Sequence, residues 1–375
     1  MIGALALLGY AAGAAWCAPA LLVPLCGRGL SVRAGLAAWL IAMASVLAAA
    51  ALALESSLTT AAADWPRLTQ TLCRSIAGEA CTTAVYESVF YQAGVAALAI
   101  ALTSGAAVAA WRYGRRVKRS RRQTRAHAEA ARIVGRDLAQ DIAAAAQPGT
   151  ATRGGSATEP GTATRAGTAT RAGTVALEDP RPAAYCVAGR PAAIVITSGA
   201  LALLDPPQLR AVLAHERAHL AHGHAALATV TRGLAAAFPG VPLFATGRAE
   251  VERLTEMSAD DTAARSAGRP TLAAALLAIA TGARCPGTSQ PATRPGGGAE
   301  TAPGQPNQHA PAAGRGANQA IPLGGLAAAA YAVPARVERM LRPPRPAAAL
   351  AVTAALTALS ALLALSPAAL ALLIR

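Results

Sequence analysis

Hydrophobic and polar positions are distributed along this chain on two scales, and each predicts a different kind of element. The coarse scale is a set of long apolar runs at about 2–26, 35–54, 92–111 and 347–373. A helix of about 20 apolar residues crosses the hydrocarbon core of a bilayer. These runs therefore predict four transmembrane helices. The first has no basic N-terminal region and leads into no cleavage site, so it reads as a retained span and not as a secretory signal.

The finer scale lies between the third and fourth runs. Residues 112–147 are rich in helix formers and predict a helix leaving the membrane. Short apolar stretches at 184–187 and 193–197 flank a Gly-Arg-Pro turn and predict two strands. A helix follows over about 206–232, with Asp205 as N-cap and prolines in its first turn. The segment "AFPGVPLF" ends it. A second helix covers about 247–267 and stops near Gly268, and "PTLAAALLAIATGA" predicts a third. Two stretches show neither period. One, at about 148–174, repeats GTATR from 149, 161 and 167; the other, at about 282–320, is rich in Pro, Gly, Gln and Asn. Neither has the large apolar groups a core needs, so both are expected to be disordered inserts.

The expected fold class is therefore mainly α. It is a polytopic membrane protein with four transmembrane helices and a domain of helices plus a small β-hairpin or sheet. Residues 1–111 form a three-span membrane domain, 112–346 a domain outside the bilayer, and 347–375 a C-terminal span.

Composition sharpens this picture through charge. The chain has 375 residues, is 54% hydrophobic and carries a net charge of +15. Charged residues make up only 14%, against about a quarter in soluble domains. Their placement orients the spans. Arg28 and Arg33 lie between the first two. Arg112, Arg115, Arg116, Lys118, Arg119, Arg121, Arg122 and Arg125 follow the third, and Arg336, Arg339, Arg342 and Arg345 precede the fourth. The segment 55–91 is poor in basic residues and holds Glu55, Asp64, Glu79 and Glu87. The positive-inside rule then puts both termini outside and 112–346 in the cytoplasm of a multi-pass plasma-membrane protein. The lipid bilayer is thus one expected partner. Direct nucleic-acid binding is not expected, because the arginines are not interleaved with stacking aromatics. Cys73 and Cys81 share the outside segment, as a disulfide or as a free pair. Cys17 and Cys26 lie in or beside the first span, and Cys186 and Cys285 are isolated and inert. The sequence leaves the oligomeric state open.

The candidate chemistry sits in "LAHERAHLAHGH", residues 213–224, which holds four of the six histidines. His215 and His219 are i and i+4 on a helix, so both imidazoles can face one metal ion. Glu216 follows the first ligand and projects beside the ion, free to act as general base. This H-E-x-x-H arrangement is that of zinc peptidases. A catalytic zinc usually takes a third protein ligand from another element. In "LTEMSADDTAAR", Glu256 and Asp260 form a second i, i+4 pair. Glu256 is the favoured third ligand, and Asp260 would accept a hydrogen bond from a ligand imidazole. On spacing alone these two acids fit a solvated helix face equally well. His222 stays near the face of His215, whereas His224 is rotated away. Both read as polar surface, with a third-ligand or substrate-contacting role for His222 as the alternative. The strand near Ile194–Thr197 offers a place for an extended substrate to add as a strand.

The stretches "AYCVAGRPAAIVITSGALALLDPPQLRAVLAHERAHLAHGH", "AAFPGVPLF", "EVERLTEMSADDTAA" and "RVERMLRPPRP" resemble the membrane metallopeptidases of the BlaR/MecR antirepressor family, and the HtpX-type membrane proteases share that core. The resemblance is tight over about 184–282. It implies a gluzincin-like zinc metalloprotease domain in the cytoplasm, with zinc on His215, His219 and Glu256, catalysis by Glu216 and support from Asp260. It also implies signal transduction by cleavage of a cytoplasmic protein, such as a small winged-helix repressor of the BlaI type. Family members that sense beta-lactams carry a penicillin-binding domain after the fourth span. No S-x-x-K serine occurs in an outside segment here, so this chain is expected to be a short form that does not sense beta-lactams by itself. Two other functions compete: a quality-control protease of the HtpX type, and a membrane scaffold whose zinc is structural. A structural site would more often be closed by four His or Cys ligands.

Overall fold

The computed structural model describes residues 2–27, 30–76, 83–134, 136–137, 173–189, 192–284, 333–343 and 345–373. In chain order the elements are α1 (Ile2–Gly27), α2 (Val32–Ile76), α3 (Thr83–Val134), β1 (Arg136–Asp137), β2 (Gly173–Leu177), β3 (Ala184–Val187) and β4 (Ala193–Thr197). There follow α4 (Ser198–Leu203), α5 (Pro206–Ala221), α6 (His224–Ala237), α7 (Pro242–Ala267), α8 (Arg269–Thr281), α9 (Val333–Leu341) and α10 (Pro346–Leu373). They group into two compact units. One comprises 1–122, 215–263 and 334–375, the other 123–214 and 264–333.

The first unit contains four helices long and apolar enough to cross a membrane, over Ile2–Gly27, Val32–Asp64, Phe90–Thr124 and Pro346–Leu373. These are the four runs expected from hydropathy, and they make the chain a multi-pass membrane protein. In lipid, backbone groups without a helical partner must be satisfied inside the protein. Pro367 in α10 has no N–H to offer the carbonyl four residues earlier, that of Leu363. Ser45 of α2 donates its hydroxyl to that carbonyl, and Tyr10 of α1 does so at 3.2 Å. The carbonyl left open by the proline thus becomes a polar stitch between three spans. Thr353 of α10 adds a second, to Ser31 at 2.8 Å.

The apolar core of this unit is shared by spans and by α7. Leu22, Trp39, Met43 and Leu356 of the spans pack in one cluster with Leu243, Phe244, Val251, Leu254 and Met257. Close approach depends on Gly247. A Cβ there would meet Met43 Cε and would lie 2.9 Å from Trp39 Cε3, so α7 crosses α2 at a point only glycine permits. Arg253 of α7 then caps α1, donating to the terminal carbonyls of Cys26 at 2.9 Å and Gly27 at 3.3 Å. Phe238 and Phe244 stack at 4.9 Å across the proline break. Leu243 and Phe244 are buried in the protein.

The second unit holds a sheet of order β1-β2-β4-β3. β4 pairs in parallel with β2 and antiparallel with β3. The hairpin of β3 and β4 follows from the two short apolar stretches, whereas β2 lies at the border of the repeat-rich segment and carries no comparable signal. All five residues of β4 are buried. The expectation that Ile194–Thr197 accepts a substrate strand is therefore wrong, since both edges of β4 are already paired. Thr197 ends the strand and caps α4, accepting from Ala183 N at 2.8 Å and Ala200 N at 3.3 Å. Asp205 and Gln208 form a reciprocal capping box at the start of α5, at 2.8 and 3.2 Å.

Two helix boundaries depart from expectation. The helix expected over 112–147 is a direct continuation of α3 and ends at Val134, where β1 begins. The helix expected over 206–232 is two helices. Gly223 adopts φ 65°, the left-handed region that glycine enters without strain, and the chain turns there. Cys26 and Cys186 are buried and Cys17 is exposed. The side chain of Cys73, residues Cys81 and Cys285, the GTATR repeats and most of both low-complexity inserts lie outside the described residues.

Candidate metal centre

The site is built by three helices of the first unit. α5 supplies His215, Glu216 and His219; α7 supplies Glu256 and Asp260; α9 supplies Arg336. All six side chains are buried. That is expensive for ionisable groups unless they are paired or hold an ion.

One ligand atom each from His215, His219 and Glu256 fall within 4.8 Å of one another. The two Nε2 atoms are 3.1 Å apart, and they lie 3.6 and 3.5 Å from the Glu256 carboxylate oxygens. A tetrahedral zinc with bonds of about 2.0–2.2 Å has ligand atoms about 3.3–3.6 Å apart. The imidazole separation is slightly under that spacing, and each imidazole lies close to it from its nearer Glu256 oxygen, Oε2 for His215 and Oε1 for His219. Among the described residues Glu256 Oε1 is moreover a buried acceptor without a hydrogen-bond donor, and it lies toward His219. Two nitrogens and a carboxylate oxygen form a donor set suited to zinc.

The charges around this point are ordered. Asp260 Oδ1 lies 3.1 Å from His215 Nδ1, off the axis of the ring N–H. Arg336 forks onto both oxygens of Asp260 at 2.7 Å and reaches Glu256 Oε2 at 3.1 Å. Burial pushes the Asp260 carboxyl up, but the guanidinium and the His215 ring outweigh it and hold it well below the usual range. Glu256 is lowered in the same way, with His215, His219 and Arg336 overcoming burial. His215 is pulled both ways. Burial lowers it, yet Asp260 and Glu256 win and lift it to about 10. For His219 burial prevails, and it drops to about 3 despite the attraction of Glu256.

His224 was expected to point away as polar surface. Instead it is buried, and its Nδ1 lies 2.9 Å from His219 Nδ1. The turn at Gly223 causes this, because it swings the first residue of α6 back over α5. A proton on His219 Nδ1 can then be donated to His224, which leaves Nε2 free to ligate. Burial lowers His224 to about 4, keeping it a neutral acceptor. His222 is exposed and stacks on His224 at 5.4 Å, apart from the metal group.

Arg336 and His224 are the site residues that sequence reasoning missed. Arg336 was read as one of four orientation charges. The available signal was the pairing of Arg336 and Arg339, three apart on a helix, with adjacent acids Asp260 and Asp261. Arg339 forks onto Asp261 with both bonds at 2.8 Å.

Comparison with known proteins adds one match. No curated protein and no solved structure matches the chain. The model of peptidase family M48 matches residues 160–249, which contain His215, Glu216 and His219 but end before Glu256, and this match supports a metallopeptidase.

Proposed function

We propose that this chain is an integral-membrane zinc endopeptidase that cleaves a cytoplasmic protein. The convergence of His215, His219 and Glu256 beside Glu216 carries this reading. The four apolar helices and the M48 match support it. The two imidazoles and Glu256 would hold zinc, which when bound would supply a Lewis acid able to polarise a carbonyl and acidify water. Glu216 takes the proton of the attacking water and returns it to the leaving amine. Asp260 fixes the His215 ring, and Arg336 fixes both acids. The arrangement of basic residues supports a cytoplasmic domain. A winged-helix repressor of the BlaI type is the first substrate to try.

The test compares membranes containing the wild type and Glu216→Gln. The variant is expected to keep its zinc and to lose specific cleavage of cytoplasmic proteins by about 10²-fold or more. Identical fragments from both would refute a peptidase centred on Glu216. His215→Ala should lose most of the zinc.

A further inference from the structure

The third span ends in a second polar site, separate from the metal centre. Arg112, Arg115, Arg116 and Arg119 stand at i, i+3, i+4 and i+7 of α3, so they form a single stripe. With Trp111 and Ala236 they line a recess of about 310 Å³. Arg115 is stacked on the Trp111 ring, 4.5 Å from its centre. Among the described residues no carboxylate pairs with any of the four. Like charges at this spacing repel and destabilise a helix. A topology signal needs only a number of basic residues near the membrane; it does not require them to surround a cavity. The opposite wall is α6, pressed against α3 because Gly233 has no side chain. A Cβ there would lie 2.5 Å from the Tyr113 ring. On the bilayer side of the recess, α3 exposes Ile100, Val108 and Trp111.

We propose that this recess binds the headgroup of an anionic phospholipid. Guanidinium forks match the oxygens of a phosphodiester. The exposed apolar side chains below give the acyl chains a surface, and Trp111 stands at the level where aromatic residues meet headgroups. A soluble phosphate would use the arginines but not that apolar flank. The bound lipid neutralises the stripe and joins the third span to α6, the helix that begins with His224 against the metal ligand His219.

The test uses the full chain in detergent micelles, with bound ligand counted by native mass spectrometry. Phosphatidylglycerol, phosphatidylcholine of equal chain length, inorganic phosphate and a polyglutamate peptide are titrated in parallel. Phosphatidylglycerol is expected to bind about tenfold or more tightly than phosphatidylcholine. Arg115→Gln with Arg116→Gln should weaken it roughly thirtyfold, at about fivefold per charge near a membrane surface. Arg121→Gln with Arg122→Gln removes the same charge from outside the recess and should cost less than about threefold. A wild-type measurement needs no variant: photoreactive phosphatidylglycerol should label the peptides holding Trp111–Arg119. Equal losses in the two double variants, or labelling elsewhere, would overturn the site. Saturation by phosphate at the same concentration would reassign it to a soluble anion. Tighter binding of polyglutamate would reassign it to an acidic protein, and either result defeats the proposal.

Discussion

Arg336 brings its charge to a place that already holds two buried carboxylates, and this fixes what its removal costs. Without it, among the described residues Asp260 keeps only the contact to His215, and Glu256 loses its one guanidinium partner. Breaking a buried ion pair by removing one member typically costs about 3–5 kcal/mol, because the survivor stays desolvated. Arg336→Met is therefore expected to lower the unfolding midpoint in detergent and to reduce zinc retention together. Arg336→Lys keeps the charge but not the fork, and should fall between. An Arg336→Met protein with full zinc and an unchanged midpoint would show that the acids do not depend on it. The same electrostatics predict a proton count. His215, lifted to about 10, is protonated at pH 7 and must become neutral to ligate. His219, lowered to about 3, is already neutral. Zinc binding near pH 7 should release about one proton, so apparent affinity rises about tenfold per pH unit up to about 9. Calorimetry in buffers of different ionisation enthalpy reads that number directly, and zero protons would contradict the assignment. His215, Glu216 and His219 could be singled out from spacing because the helical repeat alone puts them together. Glu256 depended on a second helix docking at the right height. Arg336 was invisible, since a charge that orients a span and a charge that holds an acid look the same in a sequence.

At the scale of elements, α7 is asked to do two things by one run of residues. Its first half crosses α2 at Gly247, and its second half carries Glu256 and Asp260. Nine residues of helix separate these points, about 13 Å at 1.5 Å per residue. A rigid helix transmits a displacement at one to the other. Gly247→Ala inserts a methyl group into the space of Met43 and Trp39. It is expected to cost about 1–3 kcal/mol of stability and to lower zinc affinity, although it touches no site residue. Thermal unfolding and metal content on the same preparation check both. A drop in stability with zinc affinity intact would show that α7 absorbs the strain locally. The long apolar runs announced the spans and the Pro-Gly-Pro segment announced the start of α7, because hydropathy and proline act within a few residues. The break between α5 and α6 went unread. His222 and Gly223 sit in a stretch whose neighbours all favour helix, and only the left-handed turn at Gly223 shows where the ladder stops.

At the scale of the molecule, the topological division expected from the sequence at 112–346 and the packing of the chain follow different logics. Topology asks which side of a bilayer a segment lies on; packing asks which side chains exclude water together. Leu243, Phe244, Leu254 and Met257 of α7 are buried in one cluster with Trp39 and Met43 of the second span and Leu22 of the first. Burial of each such side chain is worth about 1.5–3 kcal/mol. Four of them amount to about 6–12 kcal/mol, the same order as the whole stability of a typical domain, about 5–15 kcal/mol. The helix that carries Glu256 thus draws its stability from the spans. A fragment of residues 112–346 retains His215, Glu216, His219, Glu256, Asp260 and Arg336, but it lacks the surface that α7 packs on. It also loses the α1 terminus that Arg253 caps. That fragment is expected to bind less than a tenth of the zinc of the full chain at equal concentration, about 1.4 kcal/mol or more in affinity, and to expose apolar surface to a hydrophobic dye. Zinc content after gel filtration and dye binding measure the two consequences. A soluble fragment with one tightly held zinc would mean that the three helices of the site can hold their spacing without the membrane helices beneath them.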